Sequence, residues 1–118
     1  GFPVPDEPKT IRENGGLGTA IIMFPDTKKE GSLETLLLES CNWSDEKKTC
    51  LAAYCACTDV DSWSVTKRDK ARLRCILAAT SMKDPERSWA YIWNKADNPL
   101  RIEHPCFNSL AEFLRRCA

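Results

Sequence analysis

Gly18-Thr19-Ala20-Ile21-Ile22-Met23-Phe24-Pro25-Asp26, followed after a polar turn by Gly31-Ser32-Leu33-Glu34-Thr35-Leu36-Leu37-Leu38, is the stretch whose reading decides the fold. Its first half, Gly18 to Phe24, is uncharged, apolar and partly β-branched, and it ends at Pro25-Asp26. Such a run reads as a strand buried on both faces, the kind found in parallel sheets covered by helices. A short buried helix is the alternative, which the flanking Gly and Pro disfavour. Ser32 reads as the cap of a helix that carries Leu33, Leu36 and Leu37 on one stripe. The junction from Ile21 to Leu38 thus lies at the carboxyl end of a strand, where ligand sites of open α/β sheets gather.

Outward from this junction the pattern is helical. Ser44 with Asp45 and Glu46 opens a second helix, on which Cys50, Leu51, Tyr54 and Cys57 recur at helical spacing until it fades near Val60-Asp61. Ser64 or Thr66 begins a third, with Leu73, Ile76, Leu77 and Thr80 in period. Asp84-Pro85 predicts a short fourth helix that buries Trp89, Ile92, Trp93 and Ala96 and stops at Asn98-Pro99. Ser109-x-x-Glu112 forms a capping box ahead of Phe113-Leu114 in a fifth. Residues 1–17, punctuated by Pro3, Pro5, Pro8, Gly15 and Gly16, read as an extended lead-in. One strand cannot make a sheet. Either weak strands lie near Ile11 and Arg101-Ile102, or the partner strands belong to a missing segment or another chain. An unpaired strand is a pairing hazard, so self-association is expected.

With 118 residues the chain is long enough for one domain with one core. Seventeen basic residues balance seventeen acidic ones, which removes any bulk attraction to phosphate backbones while leaving room for a local basic patch. No apolar run is long enough to span a bilayer, and no signal peptide opens the chain, so no membrane association is expected. Seven cysteines, an odd number, fit free thiols in a reduced, cytoplasmic setting better than a disulfide framework.

Individual residues carry two readings each. Glu34 sits at the edge of the apolar stripe near the strand end: it complements the helix dipole, or it holds a hard divalent cation through oxygen. Asp26 is a turn residue or a second oxygen ligand. Lys70 shares a face with Leu73 and Leu77, whereas Lys67, Arg68, Arg72 and Arg74 are placed elsewhere. Its ammonium either snorkels over apolar surface or stabilises charge on a phosphoryl group. Cys50, Cys55 and Cys57 do not match zinc spacing, and Cys50 and Cys57, seven apart, suit core packing. His104 and Cys106 are too close in sequence to converge readily as a nucleophile pair. Trp89 and Trp93 are read as core in preference to a base-stacking pair.

These features, in this order, resemble the C-terminal part of a Toprim-like domain. The likeness is to small bacterial Toprim-related proteins of unknown function, akin to the Toprim half of the overcoming-lysogenisation-defect nucleases. Three segments carry it: the buried strand ending in Pro25-Asp26, the Gly31-Ser32-Leu33-Glu34 helix start, and Asp69-Lys70-Ala71-Arg72 with Leu77-Ala78-Ala79. A closing Phe107-x-x-Leu110-x-x-Phe113-Leu114 helix extends it over most of the chain. The resemblance implies an α/β, Rossmann-like fold with few strands, with residues 18–118 as strand plus helices after the lead-in. It also implies Mg²⁺- or Mn²⁺-dependent phosphodiester chemistry on nucleic acid, with Glu34 and Asp26 as metal ligands and Lys70 beside the scissile phosphate. Ser32 stands where those nucleases often have Asp, and their first Glu and Asp-x-Asp pair would lie before Gly1. On this reading the chain is truncated at its N-terminus, and alone it is catalytically silent, because a bridging-ion site needs several carboxylates. A non-catalytic interaction module is the competing expectation.

Overall fold

The computed structural model describes residues 1–118. It is a mostly helical domain with a single two-stranded antiparallel hairpin. The order is β1 (Ile11–Asn14), β2 (Leu17–Ala20), α1 (Leu33–Glu39), α2 (Asp45–Cys57), α3 (Val65–Thr80) and α4 (Asn108–Cys117). Single 3₁₀ turns occupy Val60–Ser62, Trp89–Tyr91 and Pro105–Phe107. No helix is long and apolar enough to cross a membrane.

The expected doubly buried strand over Gly18–Phe24 is corrected, and no Rossmann-like sheet forms. Pairing runs only from Ile11↔Ala20 to Asn14↔Leu17. The partner strand, Ile11-Arg12-Glu13-Asn14, is the weak strand anticipated near Ile11, and it is too polar to bury a sheet face. Gly15 and Gly16 between the strands both have positive φ, at 59° and 80°, the backbone a tight two-residue hairpin turn demands. That Gly-Gly signal lay inside the segment read as a lead-in. Beyond Ala20 the ladder ends: the Ile21 carbonyl still accepts from the Lys9 amide at 2.8 Å, and the chain then bends at Phe24-Pro25. The second weak strand, expected near Arg101-Ile102, reduces to an isolated bridge between Cys41 and Leu100.

The core lies between α1 and α3. Leu36 and Leu37 pack with Leu73, Ile76 and Leu77, and Cys41, Ile92, Leu100 and Phe107 complete the cluster. Burying each leucine fully is worth about 1.5–3 kcal/mol. Polar groups fix how the two helices meet. The buried Asp69 accepts a hydrogen bond from the Thr35 hydroxyl at 2.6 Å, and Thr35 Oγ1 accepts from the Ser32 amide at 3.0 Å. Ser32 caps α1 as the spacing predicts. Gly31, just before it, has φ of 151°, and a Cβ there would lie 2.4 Å from Thr35 Oγ1 and 2.9 Å from Pro25 Cδ. Only glycine passes this point without displacing the cap.

Three helical expectations change. Ser44 and Ser64 stand at the N-cap positions of α2 and α3, as read, without a side-chain capping bond, but α2 buries Cys55 while Cys50 and Cys57 face solvent. The inward row is Leu51 and Cys55, one turn apart and continued by Val60 of the following turn. The predicted fourth helix is one 3₁₀ turn, Trp89–Tyr91, followed by i→i+3 bonds from Lys95 to Ile92 and from Asn98 to Lys95. Aromatic residues and Asn/Asp at 94, 97 and 98 favour such turns over a continuous helix. Ile92 is buried, Trp89 and Trp93 are half-buried against the core, and Ala96 is exposed. Helix α4 starts at Asn108, so Ser109 is inside it and accepts a hydrogen bond from Lys9 Nζ instead of capping.

Gly31→Ala is expected to lower the unfolding free energy by roughly 1–3 kcal/mol, since both backbone strain and the Thr35 contact oppose it. Asp69→Ala is expected to lower it by about 1–2 kcal/mol by removing the acceptor of the half-buried Thr35 hydroxyl. Urea unfolding followed by circular dichroism measures both.

Candidate functional site

Helix α3 presents Lys70, Leu73, Arg74 and Leu77 at i, i+3, i+4 and i+7, one face of a 3.6-residue period. Leu73 and Leu77 are buried and form a floor, while Lys70 and Arg74 rise from it into solvent. Glu34 reaches the same place from the first turn of α1, and Arg87, Ser88 and Trp89 close it from the turn after α3. Together they line a cleft of about 190 Å³.

The charge in this cleft is unbalanced. None of the ion pairs in the chain engages Lys70 or Arg74. Arg87 has only long contacts, 3.7 Å to Asp84 and 3.9 Å to Asp97. Glu34, the one carboxylate, accepts a hydrogen bond from the Ser32 hydroxyl at 2.7 Å. Three cations therefore face one carboxylate over an apolar floor, with an indole at the rim. Lys70 and Glu34, singled out from sequence, are brought together. Arg74, placed elsewhere by the spacing argument, joins them, and its i+4 relation to Lys70 was the missed signal. Arg87 carried no sequence signal, because the turn that delivers it was read as helix.

Asp26 lines a different recess, of about 100 Å³, with Lys9, Phe24, Leu36, Cys106 and Leu110 among its walls. Its carboxylate accepts from the Thr27 amide at 2.6 Å and the Thr27 hydroxyl at 3.2 Å, an Asx-type turn. Those bonds, the amide first, hold its pKa below the ordinary carboxylate value. Asp26 and Glu34 thus occupy separate recesses, and no three His, Cys, Asp or Glu side chains converge to hold a metal ion. The donor set within this chain does not fit a Mg²⁺ or Mn²⁺ centre: the cleft that holds Glu34 is dominated by cations.

The remaining reactive groups are accounted for by packing. All seven cysteines are unpaired. His104 Nδ1 accepts from the Cys106 backbone amide, not from its thiol, and the Cys106 thiol points at the Leu36 carbonyl, 3.7 Å away. Burial raises the pKa of Cys106, and likewise of Cys75 and Cys41, which disfavours the nucleophilic thiolate. The largest groove, about 920 Å³, runs between α2, α3 and the 96–99 segment and includes Trp43, Tyr54, Cys50 and Cys75. Trp89 belongs to the cation cleft, whereas Trp93 lines a separate recess beside Arg101, so they do not form one stacking pair.

Comparison with family models, curated proteins and solved structures finds no match.

Brief alkylation of the native chain is expected to modify Cys50, Cys57 and Cys117, which are exposed, ahead of Cys75 and Cys106. Cys41 and Cys55 are expected to react only after denaturation, as peptide mass spectrometry would record.

Proposed function

We propose that this chain is a phosphate-recognition module of Toprim-like ancestry, one that binds the phosphodiester backbone of single-stranded nucleic acid without cleaving it. The observation that carries the reading is the cleft in which Lys70, Arg74 and Arg87 outnumber Glu34. A guanidinium offers a planar fork of donors that matches phosphate oxygens, and a lysine adds a point charge. The buried Leu73 and Leu77 beneath them lower the local dielectric and strengthen each contact. Trp89 at the rim supplies a face on which a neighbouring base can stack.

Hydrolysis asks for more than this. Ions that bridge attacking and leaving oxygens need several carboxylates on a fixed frame, and the cleft has one. The sequence resemblance and the coincidence of Glu34 with Lys70 both support a nucleic-acid link. In this reading Lys70 grips a phosphate, while Glu34, held by the Ser32 hydroxyl, opposes it. The neutral overall charge supports a short, local contact and argues against a long electrostatic track. The 920 Å³ groove, with Trp43 and Tyr54 in its walls, favours a second reading as a protein-interaction module.

Fluorescence anisotropy with a labelled single-stranded oligonucleotide tests the first reading. Lys70→Ala and Arg74→Gln are each expected to weaken binding about tenfold, the loss of one charge-assisted hydrogen bond of roughly 1.5 kcal/mol. Each is also expected to reduce the slope of log affinity against log salt by about one. Glu34→Gln is expected to tighten binding by removing a repulsive carboxylate. Binding that is absent, or unchanged in both cation variants, overturns the reading. Calorimetric Mn²⁺ binding that Glu34→Gln abolishes would restore Glu34 as a metal ligand.

A further inference from the structure

The cleft between α1, α3 and the Arg87–Trp89 turn is small, and its charge surplus is a whole number. Lys70, Arg74 and Arg87 face one carboxylate, Glu34, which leaves two positive charges unmatched. Lys70 and Arg74 are exposed and take part in no ion pair. Arg87 is held differently. Its side chain is only 18% exposed, and Asp84 and Asp97, which are not part of the cleft wall, approach it at 3.7 and 3.9 Å. Contacts that long, to carboxylates more than half exposed, orient the guanidinium and do little to neutralise it. Its backbone is fixed too, because the Arg87 amide donates to Asp84 and the Asp84 amide to the buried Ser81, each at 3.1 Å.

Ser88 adds a neutral donor. Its oxygen accepts from the Ala90 amide at 3.4 Å, which leaves the hydroxyl proton free for a ligand. The volume, about 190 Å³, is below the roughly 300–1,000 Å³ of pockets that enclose drug-sized molecules. A phosphate group with part of its sugar fills such a space. A strand passing through it does not.

We infer that the cleft seats the terminal phosphate monoester of a nucleotide, so that a single strand is gripped by its phosphorylated end. Terminal recognition rests on the phosphate reading of this cleft and narrows it from backbone to strand end. Charge decides between the two. A phosphodiester carries one negative charge and exposes two free oxygens. A monoester carries roughly −1.5 to −2 at neutral pH and exposes three. The monoester alone cancels a surplus of two, and its oxygens match Lys70, Arg74 and Arg87 in number. Glu34, held by the Ser32 hydroxyl at 2.7 Å, trims the surplus to two and repels a second phosphate alongside the first. Trp89, half-buried and packed against the core, offers a fixed face to the base of the same nucleotide.

Fluorescence anisotropy on the full chain tests this with a short single strand, labelled internally and made with a 5′-phosphate, a 3′-phosphate or hydroxyls at both ends. A phosphorylated end is expected to tighten binding about tenfold, the yield of one further charge-assisted hydrogen bond. In Arg74→Gln and Lys70→Ala that ratio is expected to fall toward one, whereas loss of a backbone contact weakens every form alike. Both side chains are exposed, so circular dichroism should stay native. Equal binding of all forms overturns terminal recognition and leaves the backbone reading standing, and a phosphate preference that both variants retain also overturns it. Binding of none overturns both readings. Competition separates the sources of the monoester: a nucleoside monophosphate that displaces the strand as well as its phosphorylated form does assigns the cleft to free nucleotide, and weaker displacement assigns it to the strand end. Inorganic phosphate that competes as well as the nucleoside monophosphate overturns the assignment to a nucleotide.

Discussion

The relay from Asp69 through Thr35 to the Ser32 amide holds the molecule in its register. It is a short chain of hydrogen bonds between the start of one helix and the first half of another, anchored on the buried Asp69. Hydrophobic contact alone leaves two leucine-faced helices free to slide by a turn, because dispersion has little directional preference. A buried carboxylate that must be satisfied removes that freedom. Once α1 is fixed against α3, Leu36 and Leu37 meet Leu73, Ile76 and Leu77, and Glu34 is carried to the rim where Lys70 and Arg74 stand. Gly31 belongs to the same device, since any side chain there would occupy the place of the Thr35 hydroxyl.

Helices whose stripes and caps agree are plain in the sequence. Ser32, Ser44 and Ser64 each stand one residue before the helix they were read to open. Where cap and stripe conflict, local reading fails. Asp84-Pro85 looks like a helix start, but the residues after it prefer turns, and of this stretch only Ile92 is fully buried, with Trp89 and Trp93 half-buried beside it. The run Gly18–Phe24 misleads for another reason. Its composition suits burial on two faces, whereas burial depends on what is available to cover it, and a strand of Ile-Arg-Glu-Asn covers neither face. The site divides along the same line. Lys70 and Glu34 were legible because both sit beside apolar stripes, while Arg87 arrives by a turn that no period announces.

The cleft also shows how a chain of zero net charge concentrates positive potential. Arg68 and Arg72 are turned to Asp69 and Asp61, so they support the fold locally. Lys70 and Arg74 are left facing a cleft floored by buried leucines. Helical phase alone makes the division: residues two apart point to different sides of α3, so one basic run serves both structure and surface.

Seventeen of 118 residues are buried, and the radius of gyration is 17.0 Å, against roughly 13–14 Å for a compact domain of this length. Heat capacity follows from that loose shape. The increment on unfolding scales with newly wetted apolar area, and an elongated fold has already wetted much of its own. Its stability curve is correspondingly flat with temperature, with a broad melt and little enthalpy to absorb.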